Sequence, residues 1–406
     1  MRPMLPSRLL PHALAGAVIA SAFMVLTFAA PAEAQLQMAD CTDTELDGEI
    51  FFCRDEPDPA WVREAASRMG DRLLLADSDG DRFLLLARSD AEELRSCCSI
   101  QEPMARMEDG LFASQFRMRH LDEAHLWFVP IGATGVEDEL VFEGANVRPR
   151  PEQRDTSGTI ENLTLDSAAH GETRRLTLYW PPDFNPDEPF ALLTLMDGGG
   201  APFYARILEP MMEAGRLPPI VILGVPSGAE SIVPQPEYDF DVRAADYLPG
   251  IHETEERFRA AGDRFSAHLS FVADEAMPLV EARLEGREPV QRIIAGFSNG
   301  AVFTHEAALM RPDAFTGAIV MSAGGRLVAE PGETARHVRF VLSAGLYELG
   351  FRVATREAAQ TLRHAGFDVR YTDYPDGHSH RQTEYALIDG LMALLTEDSE
   401  AASAAQ

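Results

Sequence analysis

From residue 158 onward, short apolar runs alternate along the chain with longer segments that have a helical pattern. The runs are rich in Val, Ile and Leu, a composition typical of strands that are buried on both faces of a sheet. Such strands alternating with helices predict a mostly parallel sheet covered by helices, the α/β class. Candidate strands are 176–180, 192–196, 220–225, 290–295, 318–321, 339–342 and 369–372, and the clearest helices are 265–284 and 355–365.

Before residue 146 the pattern is different, because short strands separated by polar turns replace the alternation of strand and helix. The first predicted element is a helix that is capped by Asp58, started by Pro59 and ended by Gly70. An Asp-Gly turn then joins two apolar runs in a predicted hairpin. We expect a small β-sandwich-like domain with strands at 73–76, 83–86, 111–118 and 124–130.

The first 34 residues have the pattern of a signal peptide for export. Arg2 and Arg8 precede an apolar stretch that ends in Ala32-Glu33-Ala34, which is typical of a cleavage site. An uncleaved membrane anchor is the alternative, since the stretch approaches the length that spans a bilayer. We expect cleavage near Gln35 and a periplasmic or secreted protein that keeps no stable membrane span.

Changes in composition divide the remaining chain into two domains, a linker and a tail. Residues 35–145 form the predicted β-rich domain, and residues 158–397 form the predicted α/β domain. Between them, residues 146–157 carry Pro149 and Pro151 among polar neighbours and predict a linker. The small and polar residues 398–406 predict a disordered tail.

Four cysteines lie early in the chain, at Cys41, Cys53, Cys97 and Cys98. An even number of cysteines in an exported chain predicts two disulfide bonds. We expect Cys41 and Cys53 each to pair with one of the other two, because a bond between adjacent cysteines is strained. A zinc site is the alternative interpretation, but no ligand spacing supports it.

The charge of the chain excludes several classes of partner. Asp and Glu number 65 against 35 Lys and Arg, which gives a formal net charge of −30 at pH 7. Binding to nucleic acid or to an anionic membrane surface is therefore not expected. The glycine run 198–200 lacks the lysine of a P-loop, and no dinucleotide fingerprint is present. We expect no cofactor and no metal, and the oligomeric state is not predicted.

The stretch 293–300, Ile-Ile-Ala-Gly-Phe-Ser-Asn-Gly, places an apolar run of strand character directly before Gly-x-Ser-x-Gly. Residues 301–310 continue with a helical pattern. A serine between a strand and a helix is typical of a nucleophile elbow. In such a turn, Gly296 and Gly300 would leave room for neighbouring backbone to approach closely. Ser298 is therefore the predicted nucleophile.

A serine hydroxyl is a poor nucleophile at neutral pH, so it needs a base and a carboxylate that orients the base. Two histidines, His378 and His380, come just after the last predicted strand. His378 directly follows an Asp-Gly turn and is the predicted base. We expect His380 to be a pocket wall or a substrate contact.

The predicted acid is Glu348, because it lies just past the end of the strand at 339–342, where a loop carboxylate can turn toward the histidine. It also lies between Ser298 and His378 in the chain, the order that this type of site requires. Three other carboxylates remain open as alternatives, namely Asp368, Asp373 and Asp376.

The tetrahedral intermediate of such a reaction needs backbone donors for its oxyanion. The N–H of Asn299, which follows the nucleophile, is the first predicted donor. The second is expected from the glycine run that ends the strand at 192–196. We assign it to Gly199, with Gly198 as the next choice.

These features together resemble the putative-esterase family of α/β-hydrolases, which includes enterochelin esterases, S-formylglutathione hydrolases, feruloyl esterase domains and mycolyltransferases. The resemblance covers residues 158–395, and residues 103–112 with the two strands that follow resemble the end of the enterochelin esterase N-terminal domain. It implies an α/β-hydrolase fold with the catalytic roles on Ser298, Glu348 and His378. The segments that carry it are 175–182, 195–198, 293–300, 311–315 and 376–378.

The chain departs from the family at three positions that flank the catalytic residues. Ala301 stands where members often have a second glycine, and Asp376 stands where they have the first glycine of Gly-Gly-His. Members commonly carry an aromatic residue near the position of His380. None of these departures removes a catalytic group, and only the last one concerns the substrate pocket.

The sequence therefore predicts an exported serine carboxylic-ester hydrolase that acts on a small-molecule ester. Within this class, the two-domain layout favours an enterochelin (siderophore) esterase-like enzyme. A carbohydrate acetyl or feruloyl esterase is the alternative, as is an acyltransferase that uses the same residues. A binding protein without catalysis on the same scaffold is a further hypothesis.

Overall fold

The protein is described by a computed structural model, which covers residues 38–42, 44–46, 49–132, 139–228, 241–325 and 327–396. The predicted signal peptide, residues 1–34, and the predicted tail, residues 398–406, lie outside the described residues. Within the described ranges, no helix combines the length and the apolar character needed to cross a membrane.

The elements follow one another in two blocks, strands first and then alternating strands and helices. The strands are β1 Phe52–Asp55, β2 Leu74–Asp79, β3 Arg82–Arg88, β4 Arg95–Cys98, β5 Ala105–Arg106, β6 Leu111–Met118, β7 His125–Ile131, β8 Leu140–Glu143, β9 Thr159–Ser167, β10 Glu172–Trp180, β11 Ala191–Met196, β12 Ile220–Val225, β13 Gln291–Phe297, β14 Gly317–Met321, β15 Arg339–Gly345 and β16 Val369–Tyr374. The helices are α1 Pro59–Met69, α2 Ala201–Glu213, α3 Val242–Tyr247, α4 Ile251–Thr254, α5 Arg264–Ser270, α6 Met277–Arg283, α7 Asn299–Met310, α8 Leu349–His364 and α9 His380–Leu395. A π-helical segment, Phe271–Ala276, joins α5 to α6.

The N-terminal region consists of two antiparallel sheets. One has the order β1-β6-β3-β2 with β5 beside β6, and the other has the order β4-β7-β8. Side chains of β3 alternate between two faces, as the period of a strand requires. Leu84 and Leu86 pack against α1, whereas Phe83 and Leu85 share a core with Phe128 of the other sheet. The predicted sandwich-like packing and helix α1 are both confirmed.

The predicted pairing of the cysteines is wrong. The disulfides join Cys41 to Cys53 and Cys97 to Cys98. Cys41 N donates to the carbonyl of Arg54 at 2.9 Å, which brings it beside Cys53. Cys53 lies in β1, whereas Cys97 and Cys98 lie in β4, which belongs to a different sheet. The two pairs of cysteines are therefore held apart by a sheet arrangement that the sequence pattern did not reveal.

The second block forms one sheet of eight strands in the order β16-β15-β14-β13-β11-β12-β10-β9. The strands from β16 to β12 are parallel, and β10 and β9 are antiparallel at one edge. The mostly parallel sheet predicted from the sequence is confirmed. Strand β9 was not predicted, because it lies at the edge and its side chains alternate between half-buried and exposed.

Helices α2 and α9 cover one face of the sheet in a single apolar cluster with β11, β13 and β14. Helix α7 contacts β13 and β14, and α8 contacts β15 and β16. Residues 144–158 connect the two blocks without helix or strand, and Arg148 and Arg150 pair with Asp389 and Glu384 of α9. The connection is therefore held against the α/β block by ion pairs.

Candidate active site

Ser298 lies at a sharp turn between β13 and α7 with φ 59° and ψ −122°. A positive φ with this ψ is costly for a residue with a Cβ and is found at functional turns. A Cβ atom added to Gly296 would lie 2.2 Å from the carbonyl oxygen of Gly300, so only glycine fits there. Ser298 N donates to the carbonyl of Met321 at 3.0 Å, which fixes the turn to β14.

Glu348 and His378 come from different loops, after β15 and after β16, and meet directly. His378 Nδ1 is 2.6 Å from Glu348 Oε1, and the Glu348 side chain is fully buried. A carboxylate only accepts, so the proton of the imidazole lies on Nδ1 and Nε2 keeps its lone pair. This is the tautomer that a general base needs.

The other oxygen of Glu348 is held by two donors that the sequence did not single out. Ser322 Oγ donates to Glu348 Oε2 at 2.6 Å, and Gly345 N donates to the same oxygen at 2.5 Å. The side-chain amide of Gln382 lies 3.0 Å from Ser322 Oγ, from Gly345 N and from Gly377 O. Gln382 thereby connects the loop that carries the acid to the loop that carries the histidine.

The three alternative acids have other partners. Arg352 pairs with Asp373 through two hydrogen bonds of 3.1 and 2.9 Å, and Arg339 pairs with Asp368 at 3.0 Å. Asp376 accepts from the N–H of Gly377 at 2.7 Å and is buried. Of the four carboxylates considered from the sequence, Glu348 is the one that contacts His378.

Two aromatic rings hold the imidazole of His378 from both faces. Phe297 stacks on it with ring centroids 4.4 Å apart, and Phe351 stacks on the other side at 4.0 Å. Phe297 directly precedes Ser298, so the ring contact brings the histidine to the elbow. No hydrogen bond joins Ser298 Oγ to His378 within the described part of the chain, and such contacts often tighten only when substrate binds.

The candidate oxyanion donors lie in the first turns of two helices. Asp197 has φ 52° and turns the chain into a 3₁₀ turn, Gly198–Gly200, that runs into α2. The N–H groups of a first turn are not used by the helix itself and carry its positive end. Gly198 is packed against β12, where a Cβ would lie 2.2 Å from backbone, while Gly199 is exposed. Asn299 begins α7 and is buried.

Arg243 connects the glycine turn to the elbow and was not predicted. It donates to both carboxylate oxygens of Asp197 at 2.7 Å and to the carbonyl of Phe297 at 3.3 Å. Burial opposes the charge of Arg243, but the adjacent carboxylate of Asp197 outweighs it and raises the pKa of the guanidinium. The bridge fixes the two candidate oxyanion segments relative to each other.

His380 lies beside the same group of side chains, with its ring 5.9 Å from that of Phe297. The residue as a whole is exposed, but partial loss of hydration around the ring lowers the pKa of His380, and the neighbouring imidazole of His378 lowers it further. A neutral, exposed imidazole at this position is compatible with the predicted contact to substrate.

One cluster has the composition of a metal centre, since ligand atoms of His170, Asp246 and His268 lie within 4.8 Å of one another. Two guanidinium groups already occupy the carboxylate, with Arg264 Nε at 2.6 Å and Arg174 Nη2 at 3.1 Å from Asp246. Burial lowers the pKa of His170 to about 4. The arrangement is therefore an ion-pair cluster that ties β10 to α3 and α5.

A mostly parallel sheet with a serine at a strained turn between strand and helix, and with an acid–histidine pair on two further loops, defines the class as an α/β-hydrolase. Within that class, a family model described as putative esterase matches residues 167–394, more than half of the chain, and the chain belongs to this family of esterases. The family resemblance inferred from the sequence motifs is confirmed.

Two solved structures of enterobactin esterases are similar to the chain. The enzyme from Shigella flexneri, determined in the presence of enterobactin, gives a TM-score of 0.56 at 15% identity over 83% of this chain and 98% of that one. The ferric enterobactin esterase from Salmonella typhimurium gives 0.52 at 16% identity over 82% and 98%. At these identities the likeness concerns the fold, and it extends into the β-rich region. No curated protein matches the chain.

Proposed function

We propose that the protein is an exported serine carboxylic-ester hydrolase in which Ser298, His378 and Glu348 form the catalytic triad. The observation that carries the proposal is the 2.6 Å contact between His378 Nδ1 and Glu348 Oε1 beside the strained turn of Ser298. Glu348 and His378 come from separate loops, and their chain order after Ser298 is the one that this type of site has.

The reaction proceeds in two halves through an acyl-enzyme. Ser298 Oγ attacks the ester carbonyl while His378 Nε2 takes the hydroxyl proton, and Glu348 stabilises the imidazolium that forms. The N–H groups of Asn299 and Gly199, with Gly198 as the next choice, donate to the oxyanion. Collapse breaks the ester bond and the alcohol leaves with the proton from His378. Water then attacks the acyl group with the same base and releases the acid and free Ser298.

The substrate that we propose is an ester of the siderophore type. The support is the likeness in fold to two enterobactin esterases, which includes the β-rich region in front of the α/β block. We further propose that this region, 35–145, and the α/β block, 158–397, are separate domains with 146–157 as the linker. Export is supported by the two disulfides and by the pattern of the first 34 residues.

The experiment that tests this function measures hydrolysis by the wild type and by Ser298→Ala. We expect the wild type to hydrolyse short aryl esters and the variant to lose at least about 10³-fold in kcat/KM with an unchanged circular dichroism spectrum. A variant that keeps its activity would exclude Ser298 as the nucleophile. A panel of a cyclic catecholate trilactone, a feruloylated sugar and an acetylated sugar then separates the siderophore type from the carbohydrate esterases.

A further inference from the structure

The loop that carries the candidate base is attached to the N-terminal region. We call residues 375–379 the histidine loop. His125, the first residue of β7, donates its N–H to the carbonyl of Pro375 at 3.2 Å and forms a parallel bridge with Asp376. This backbone contact joins the histidine loop to β7, the central strand of a sheet that belongs to the other block of the chain.

The side chain of His125 also faces the histidine loop. Its Nδ1 lies 3.7 Å from Asp376 Oδ2, and both residues are buried. Among the described residues, this nitrogen has no hydrogen-bond partner of its own, so the carboxylate of Asp376 is the group that it faces. Burying an imidazole nitrogen with no closer partner is costly, which makes the approach to a carboxylate the favourable arrangement.

Asp376 also accepts hydrogen bonds from the residues on both sides of His378. Its Oδ1 accepts from Gly377 N at 2.7 Å and from Ser379 Oγ at 3.0 Å. Ser379 in turn caps α9 by accepting from Gln382 N. The residues that precede and follow the candidate base are therefore held by one carboxylate that His125 faces.

The N-terminal region also removes the space into which the loop could move. A Cβ atom added to Gly377 would lie 2.3 Å from Ser99 Cβ and 2.4 Å from Ser99 Cα. Ser99 is itself held, because Trp127 N donates to its Oγ at 2.8 Å and its own N–H donates to the Trp127 carbonyl at 3.0 Å. The histidine loop is thus closely packed against β4 and β7.

The acid-bearing loop rests on the same region. Tyr347, next to Glu348, buries its ring in the apolar core of the N-terminal sheets and donates its hydroxyl to the carbonyl of Arg119 at 2.6 Å. Its N–H donates to the carbonyl of Asp376 at 3.2 Å. Both members of the acid–histidine pair are therefore supported by contacts that cross from one block to the other.

We propose that His125 is a positioning residue of the esterase reaction, which holds the histidine loop through Asp376 and so keeps His378 aligned between Glu348 and Ser298. This inference rests on the proposed triad. It gives the N-terminal region a part in the rate of the chemical steps and not only in substrate choice. A displacement of the base by about 1 Å costs about 10²-fold in rate, so a contact two residues away from the base can affect turnover strongly.

The test compares two substitutions that differ in where they place a nitrogen. In His125→Asn the side-chain amide nitrogen overlays the position of Nδ1, whereas in His125→Gln it overlays the position of Nε2. With 4-nitrophenyl acetate at pH 8, we expect His125→Gln to lower kcat tenfold or more, with KM within about twofold because the residue does not touch substrate. We expect His125→Asn to keep most of the wild-type kcat.

A matched control is His305→Gln, which removes another buried histidine that contacts a carboxylate, Glu306, at 3.0 Å away from the histidine loop. It is expected to lower the melting temperature without lowering kcat per folded molecule. Equal kcat in the wild type and His125→Gln, or equal loss in the glutamine and asparagine variants, would overturn the proposal.

Two further measurements keep the outcomes distinct. If His125→Gln does not fold, His125→Phe, which keeps the packing of a ring and loses both nitrogens, is measured against the same criteria. Wild type that neither hydrolyses the ester nor reacts with a fluorophosphonate rejects the proposed function itself. Wild-type hydrolysis with no effect of His125 rejects only the positioning role.

Discussion

The two halves of the candidate site are built in different ways. The nucleophile half, Ser298 with Asn299, is formed by adjacent residues whose geometry follows from glycines within one stretch of chain. The acid–histidine half joins Glu348 and His378 from separate loops, and those loops are held by Ser322 and by contacts to the N-terminal region. The first half is therefore set by local sequence, and the second depends on packing between distant parts of the chain.

The acid–histidine half is therefore more sensitive to substitution than the nucleophile half. A local turn keeps its shape as long as its own residues are kept. An assembly of loops loses alignment when any of its supports is changed, even far from the chemistry. Substitutions in the acid–histidine half and its supports should consequently show a graded series of effects.

The largest effect is expected when the base itself is removed. His378→Asn keeps a polar side chain near the position of Nδ1 and removes the lone pair of Nε2, so kcat/KM should fall by about 10³-fold or more. Steady-state hydrolysis of an aryl ester measures it, with the melting temperature as the control for folding. If His380→Asn gave the larger loss, the roles of the two histidines would be exchanged.

The next effect is expected from the acid. Glu348→Gln keeps the shape of the side chain and removes the charge that stabilises the imidazolium, so kcat should fall by about 10²-fold, less than for His378→Asn. Asp373→Asn is the matched control, because that carboxylate pairs with Arg352 and not with the histidine. A larger loss in Asp373→Asn than in Glu348→Gln would assign the acid elsewhere.

Asp376, which supports the histidine loop, should make the stability of the protein depend on pH. Burial raises the pKa of Asp376 from 3.8 to about 6, although contacts with His125, Ser379 and the N–H of Gly377 oppose the shift. The folded chain then holds a proton that the unfolded chain has released, so the free energy of unfolding falls as the pH rises from about 4 to about 6. Above about pH 6 the folded chain carries the buried, ionised carboxylate of Asp376, and the free energy of unfolding is lowered by the full amount, about 3 kcal/mol.

Asp376→Asn cannot ionise and should lose this dependence. Urea unfolding of both proteins at pH 4 and at pH 7 measures the difference, which should favour the asparagine variant only at the higher pH. An identical pH dependence in the two proteins would show that Asp376 does not carry a raised pKa.

The smallest effect is expected from a single methyl group at the boundary between the two regions. Gly377→Ala places a Cβ against Ser99 and should lower the free energy of unfolding by about 1–3 kcal/mol, with a loss of kcat in the folded fraction. Gly332→Ala is the control, because a Cβ there would meet only Thr334 Oγ1, at 3.8 Å, and its φ of −90° is one that alanine adopts without strain. If Gly377→Ala lost stability and kept its kcat, the packing of Gly377 against Ser99 would support the fold but not the alignment of His378.

The sequence predicted most of the fold, because buried strands and the elbow are local patterns. Strand β13, Ser298 and helix α7 follow from one stretch, and the candidate pair Glu348 and His378 follows from position after strand ends. The roles of these residues stay predictions, although the structure brings the acid and the histidine together.

The parts that the sequence did not reveal depend on contacts between distant segments. The pairing of the cysteines was predicted wrongly, because it is decided by which sheet each strand joins. Ser322, Phe351 and Arg243 carry no motif, and they become part of the site only when segments that are distant in the chain meet. His125 is far from the motifs in the chain, and no local pattern relates it to His378.

Labelling by a fluorophosphonate followed by peptide mapping tests directly whether Ser298 is an activated nucleophile. Such a probe reacts with a serine only where a base and an oxyanion site activate it. We expect one phosphonylated residue, Ser298, in the folded wild type, and strongly slowed labelling in His378→Asn. Modification of a different residue, or no reaction of the folded wild type, would exclude Ser298 as an activated nucleophile.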